Sequence, residues 1–287
     1  MASQFRPGAG MVLADAVPGE PLIIFKDVRL GFGASDVLRG ISFEVAVGET
    51  KILFGESGSG KTLILKLAAG LLRPDSGHVW VMGQDVSEMP ERDLLHFRRH
   101  IGFVFQEGAL FDSMTVADNV AFRLREENVD EAEIETNVRE ALRFVEMETA
   151  IDKFPADLSG GMRRRVSIAR ALVDHPALVL YDSPTAGLDP VTSQTIIALV
   201  LRGRDSQGAT SLLATHRVQD AFGLANYRFD PDSNSVIAVD GKSSPASQPS
   251  PTNVLVLRDG GIYFEAPATE LLRSTDPYLK QFLASAM

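Results

Sequence analysis

Gly55-Glu56-Ser57-Gly58-Ser59-Gly60-Lys61-Thr62 fits the pattern G-x-x-x-x-G-K-[ST] at every position. Its flanks give it meaning. Lys51 to Phe54 reads as a short buried strand and Thr62 to Leu72 as a helix, so strand, loop and helix open an α/β unit. The glycines let the backbone curl and aim several N–H groups at one anion, and the helix adds its positive N-terminal end. In this pattern Lys61 would bridge the β- and γ-phosphates of a nucleotide, and the Thr62 hydroxyl would ligate Mg²⁺. The bland alternative is a flexible Gly/Ser loop with a chance Lys. The strand before it and the helix after it favour the phosphate loop.

Working outward, Leu22 to Phe25, Val28 and Leu30 look strand-like, and Ile41 to Val47 alternates at period two. Ile134, Val138, Ala141, Leu142 and Val145 have helical spacing within residues 131–147. A helix is expected over about residues 161–174, leading into the continuous apolar run Ala177 to Tyr181, a strand buried on both faces. A helix near Val191 to Leu201 then precedes strand Thr210 to Ala214, and Val254–Leu257 with Ile262–Phe264 predicts a hairpin across Asp259-Gly260-Gly261. Residues 243–251, with four Ser and three Pro, are expected to be a mobile loop.

Composition narrows the class. The 287 residues include no Cys, which excludes disulfides and thiolate zinc sites. Against 38 acidic groups stand 28 Lys and Arg, a net charge of −10, which argues against non-specific nucleic-acid binding. Residues 123–152 alone carry a net −6, the mark of a solvated helix face. No apolar run approaches the ~20 residues needed to span a bilayer, and residues 1–20 look like a flexible leader without a signal-peptide core. A cytoplasmic chain is expected, one that another chain must anchor if it works at a membrane.

Leu158-Ser159-Gly160-Gly161-Met162-Arg163 would start a helix with a Ser N-cap and two glycines exposing backbone N–H groups, a second anion site. This segment resembles the LSGGQ-type signature of ABC (ATP-binding-cassette) ATPases, with Met162 for the commoner Gln. Other elements of that family follow in order. Gln106 after Ile101 to Phe105 resembles the Q-loop, and Leu178 to Asp182 the Walker B strand with its Mg²⁺-directed carboxylate. Ala186-Gly187-Leu188-Asp189 resembles the D-loop, His216 the switch histidine, and Phe32 the aromatic that stacks on adenine. Phe105 to Val120, Met162 with its following arginines, and Asp276 to Leu283 are similar to ATPases of Mla/MCE-type lipid transport systems. Leu110, Phe111 and Met114 would also suit a docking groove for a partner's helix, or simply pack the helical lobe.

The resemblance implies a P-loop NTPase fold: a RecA-like mixed α/β sheet core, an antiparallel β subdomain and an inserted helical subdomain. Residues 21–272 would form one ATP-binding domain, with the helical part at about 107–174, a flexible insertion at about 230–252 and a C-terminal helix or tail at 273–287. ATP would lie on residues 55–62 and Phe32, with Mg²⁺ on Thr62, Gln106 and Asp182. Ser159, Gly160, Gly161 and Met162 of a second copy would close over it, head to tail. Catalysis would fall to His216, Asp182, Gln106, Asp189 and the residue at 183. Partners would be membrane permease subunits on the cytoplasmic face and, through them, an MCE-type protein, with no nucleic acid. Translation or DNA-repair relatives generally carry two cassettes, long coiled-coil arms or zinc sites.

One departure matters. Ser183 stands where the family usually places the Glu that polarises the attacking water. Loss of a general base costs ~10²- to 10⁴-fold, but phosphoryl transfer rests mainly on positioning and charge neutralisation. ATP binding with slow hydrolysis is expected. A natural low-turnover or regulatory ATPase, a substitute carboxylate such as Glu107, or an introduced change at 183 all remain open. Arg217, where the family more often has Asp, has no mechanism at this level.

Overall fold

The structure is a computed structural model that describes residues 19–33, 35–239, 252–271 and 273–285. The expected leader (but for residues 19–20) and the expected mobile loop at 243–251 lie outside the described residues.

The chain opens with the long strands β1 (Pro21–Phe32) and β2 (Ser35–Ala46), then β3 (Thr50–Gly55), whose six residues are all buried. Helix α1 (Lys61–Ala68) follows the phosphate loop. It stops short of the expected Leu72, because Gly70 turns left-handed at φ 62 with Leu94 packed against it. Strands β4 (Ser76–Val81) and β5 (Gln84–Asp85), helix α2 (Glu91–Phe97) and strand β6 (Ile101–Val104) come next. Three helices then run together: α3 (Val116–Glu126), α4 (Glu131–Phe144) and α5 (Gly160–Leu172). Strand β7 (Leu178–Asp182), helix α6 (Pro190–Gln207), strand β8 (Thr210–Ala214) and helix α7 (Val218–Asn226) restore the β-α order. A hairpin β9 (Tyr227–Asp230) and β10 (Ser235–Ala238) precedes β11 (Thr252–Arg258), β12 (Gly261–Pro267), the single turn α8 (Ala268–Leu271) and α9 (Pro277–Ser285).

The main sheet has the order β12-β11-β3-β8-β7-β6. Its pairs are parallel except β11 with β12 at one edge. Period-two side-chain alternation makes this sheet the wall between two cores. Val179, Tyr181, Leu213, Val254 and Val256 face one core, shared with α3 to α7. Leu178, Leu180, Leu212, Leu255 and Leu257 face the other, shared with α1 and a four-stranded antiparallel sheet of order β2-β1-β4-β5. The fold is therefore the mixed α/β P-loop arrangement, with the antiparallel sheet on one side and helices on the other. Because β3, β7 and β8 are parallel neighbours, their C-terminal ends bring Gly55, Asp182 and Ala214 to one edge, the place where open α/β sheets bind ligands.

Two further expectations need correction. Residues 235–238, inside the expected flexible insertion, form β10 and pair with β9. The hairpin is fastened to α6: the Phe229 N–H donates to Asp205 Oδ2 at 2.7 Å, and the Arg202 guanidinium lies 5.3 Å from the Phe229 ring centre. Helix α6 also continues past Leu201 to Gln207, stopping at Gly208 with φ 67.

Candidate nucleotide site

The phosphate loop closes on itself. Gly60 caps α1 at φ 98, and a Cβ there would lie 2.6 Å from Leu38 Cδ2, so only glycine fits this approach. Lys61 is buried, and its ammonium donates to the Gly55 carbonyl at 2.7 Å and the Glu56 carbonyl at 2.8 Å. Burial pulls the Lys61 ammonium below its ordinary pKa, while Asp182 and Glu56 pull it back. The amine is thus held by weak carbonyl acceptors in a place where a polyphosphate would stabilise its charge far better. Glu56, Ser57 and Gly58 are exposed along the loop, and Ser59 is half-buried.

The Thr62 hydroxyl donates to Asp182 Oδ1 at 3.0 Å. A hydroxyl and a buried carboxylate at this separation are the hard oxygen donors that Mg²⁺ takes when phosphate and water complete its shell. Gln106 is exposed just past β6, which pairs with β7 in register Val104 to Tyr181, so it lies at the same sheet edge as Asp182. His216 is exposed one residue past Thr215, whose N–H donates to the Leu53 carbonyl of the β3 strand at 3.1 Å. The sheet thus brings residues 55–62, 106, 182, 183 and 216 to one end. Phe32 sits 55% exposed at the tip of β1.

Ser183 leaves β7 with φ 48, a left-handed conformation uncommon for a side chain. Its N–H donates to the Ala214 carbonyl at 2.9 Å, and its carbonyl accepts from Arg164 at 3.4 Å. Arg164 also donates to the Phe105 carbonyl at 3.1 Å. This buried guanidinium, its pKa lowered by burial against the pull of Asp182 and Glu107, ties helix α5 to the ends of β6 and β7. Glu107 itself is exposed.

The segment expected to form a second anion site, Ser159 to Met162, is a capped helix start. Ser159 Oγ accepts from the Met162 N–H at 3.2 Å. Gly161 has a packing reason: a Cβ there would come 2.5 Å from Thr192 Cγ2. Thr192 in turn belongs to the start of α6, where the Asp189 carboxylate accepts from the Thr192 N–H at 3.0 Å. The Thr192 hydroxyl, which donates to Asp189 Oδ2 at 2.5 Å, and then that N–H hold the Asp189 carboxyl below its ordinary pKa. Two helix starts therefore abut, and among the described residues no hydrogen bond joins Ser159–Met162 to residues 55–62.

Sequence reading missed the group that holds these loops together. Asp220, on α7, is buried and accepts from Thr215 Oγ1 at 2.6 Å and Thr185 Oγ1 at 2.7 Å. Burial raises its pKa, with the two hydroxyls and Arg217 opposing. Arg217 Nη1 donates to the Thr185 carbonyl at 3.0 Å and Ser193 Oγ at 2.8 Å, and more weakly to the Leu188 carbonyl at 3.4 Å. The departure at 217 thus has a structural role: it fastens the 185–189 loop to the strand end that carries His216. The nearest sequence signal was the unusual Arg itself.

Residues 38–186 match the protein family described as ABC transporter. A probable ribonucleotide transport ATP-binding protein, Mkl of Mycobacterium leprae, is 35% identical over 259 residues, covering 90% of this chain and 67% of its own length. The methionine import ATP-binding protein MetN of Mesorhizobium japonicum is 38% identical over 216 residues, covering 74% of this chain and 59% of its own length. The chain thus spans about three fifths to two thirds of these curated relatives. The solved dimeric structure of the ATP-binding cassette MJ0796, in a post-hydrolysis state with ADP and Pi, matches with a TM-score of 0.70 at 26% identity, over 86% of this chain and 98% of that one. CbiO1 of Clostridium perfringens, part of the ABC transporter complex CbiONQ, matches with a TM-score of 0.74 at 25% identity, over 88% and 91%. With a phosphate loop, an opposed hydroxyl and carboxylate, and a glycine-opened second helix start on this fold, the chain belongs to the ABC transporter family and carries its ATP-binding domain.

Proposed function

We propose that this chain is the ATP-hydrolysing subunit of a membrane transporter, and that two copies close head to tail on ATP. The observation that carries this reading is the division of the site. Lys61, Thr62 and Asp182 stand together at the sheet edge, while the capped start of α5 at Ser159 to Met162 packs against α6. One polyphosphate would meet the start of α1 in one copy and the start of α5 in the other. Asp182 and Thr62 would hold Mg²⁺, with Gln106 at the same edge, and the ion would neutralise developing phosphate charge. His216 would face the γ-phosphate, and Asp189 would shape the loop between the copies.

Residues 21–272 act in this proposal as one domain, whose helical part at about 107–174 meets the permease. Phe111, 42% exposed beside Phe122 and Arg170, and half-buried Leu110 and Met114 support that contact surface. Among the described residues no helix is long and apolar enough to cross a membrane. The chain would therefore work on the cytoplasmic face, held there by permease subunits. The relatives' names point to ribonucleotide and methionine transport. The Phe105–Val120 and Asp276–Leu283 segments favour a lipid system with an MCE-type component, which is the substrate class proposed here.

Purification of the tagged chain from detergent-solubilised membranes tests the reading. An integral permease and an MCE-type protein should come with it, whereas a soluble partner alone would support a regulatory nucleotide sensor. Ser183, with its uncommon backbone and no carboxylate, keeps that second reading in play.

A further inference from the structure

Ser183 brings no carboxylate to an attacking water, and most acidic side chains around the sheet edge are committed elsewhere. Asp182 accepts from the Thr62 hydroxyl. Asp189 caps α6 through Thr192, and Asp220 is buried between the Thr185 and Thr215 hydroxyls. Glu56 lines an open cavity of about 460 Å³ whose described lining includes no residue of β6 or β7. Glu107 is different: it is exposed, and its carboxylate makes no hydrogen bond or ion pair among the described residues. The β6–β7 pairing places it. Val104 lies across from Tyr181, so two residues on Gln106 comes opposite Ser183, with Glu107 beside it. The strands stay adjacent past the ladder, because Arg164 Nη1 donates to both the Phe105 carbonyl at 3.1 Å and the Ser183 carbonyl at 3.4 Å. The Gly108 N–H donates back to the Phe105 carbonyl at 2.9 Å, with Gly108 at φ 83, so residues 105–108 form a tight turn with Gln106 and Glu107 at its exposed corners. Arg170 fixes the far side of that turn, donating to the Gly108 carbonyl at 2.9 Å and the Ala109 carbonyl at 2.8 Å.

We propose that Glu107 is the general base of ATP hydrolysis, in place of the carboxylate missing at 183. The proposal rests on the ATP-hydrolysing reading above. Neighbouring strands lie about 4.8 Å apart, a gap that a glutamate side chain spans. The buried Arg164 guanidinium feels both Asp182 and Glu107, so the Glu107 carboxylate is within electrostatic reach of the end of β7. The turn that carries it is held on α5 by two arginines, which is the support a reacting group needs. The Glu107 carboxylate accepts a hydrogen bond from the attacking water and takes its proton as the water oxygen bonds to the γ-phosphorus. The bond from that phosphorus to the β,γ-bridging oxygen breaks, ADP leaves with the electron pair, and Glu107 later passes the proton to solvent. A base that reaches over from the adjoining strand end is less well aligned than one on β7 itself, so a carboxylate placed at 183 still speeds the reaction.

The test is a double-mutant cycle on the full chain, with Mg²⁺-ATP turnover and equilibrium ATP binding measured side by side. Glu107→Gln should lower kcat about tenfold, short of the ~10²-fold of a well-aligned general base, and leave ATP affinity within about twofold. In a Ser183→Glu background the same replacement should cost less than about twofold, because the carboxylate on β7 takes over. A Glu107 that only shaped its turn would cost the same factor in both backgrounds, and that result would overturn the inference. So would a kcat that Glu107→Gln left unchanged, or a wild-type chain that bound ATP without hydrolysing it. If Ser183→Glu does not fold, Glu107→Ala decides: added formate, a small carboxylate, should restore part of its turnover, and no recovery would count against the base. A wild-type chain that bound no ATP would instead sink the phosphate-loop reading, and this inference with it.

Discussion

Replacing Arg217 by Ala removes a side chain that bonds both the Thr185 and the Leu188 carbonyls of the 185–189 loop. Three acceptors lose a bond from Arg217: the Thr185 carbonyl, which keeps the Leu188 N–H at 3.2 Å, the Leu188 carbonyl, which keeps the Ser193 hydroxyl at 3.5 Å, and Ser193 Oγ. A hydrogen bond from a charged group contributes ~1.5–3 kcal/mol, but the Arg217 side chain is 21% exposed and water can replace part of it. A net loss of about 2–3 kcal/mol in unfolding free energy is expected at neutral pH. The loss should depend on pH. Burial holds the folded pKa of Asp220 above the ordinary 3.8, and Arg217 partly counters this. A carboxyl whose folded pKa is raised adds stability that is complete below its unfolded pKa and lost as pH rises through its folded pKa. Without Arg217 the folded pKa rises further, so the variant should lose more near pH 8 than near the ordinary aspartate value. Urea denaturation across that range, in wild-type and Asp220→Asn backgrounds, reads both effects. A loss under about 0.5 kcal/mol, or a pH dependence that persists with Asn at 220, would refute the reasoning.

The remaining predictions concern the site directly. Lys61→Ala should weaken ATP ten- to a hundredfold, about the worth of a charge-assisted hydrogen bond, as measured by equilibrium dialysis. Gly161→Ala should cost about 1–3 kcal/mol by overpacking against the Thr192 methyl, and Thr192→Ser, which removes that methyl and keeps the hydroxyl on Asp189, should restore most of it in thermal unfolding. Ser183→Glu should raise ATP turnover by ~10²- to 10⁴-fold. Turnover that stayed flat would mean that position 183 does not limit the rate.

Local chemistry made much of this legible in the sequence. The phosphate loop, the buried run ending at Asp182 and the strand before His216 are contiguous motifs, and the parallel sheet puts their ends together. The Asp220 and Arg217 links were not legible, because they join side chains on separate elements whose contact depends on tertiary packing. Gly161 read as an opener of backbone N–H groups, yet its contact with Thr192 gives it an equally firm structural reason. Helix ends were displaced for local reasons: Gly70 stops α1 early, and α6 runs on past Leu201 until the left-handed Gly208. The pairing of β11 with β3 was invisible beside the louder hairpin signal of Asp259-Gly260-Gly261.

The central claim is that one ATP is closed by two copies of this chain. Light scattering on the purified chain, with permease added if needed, tests it most directly. With ATP and Mg²⁺ the chain should run at twice its monomer mass, and at the monomer mass with ADP or as Lys61→Ala. A monomer at saturating ATP and Mg²⁺, with permease present, would contradict the account.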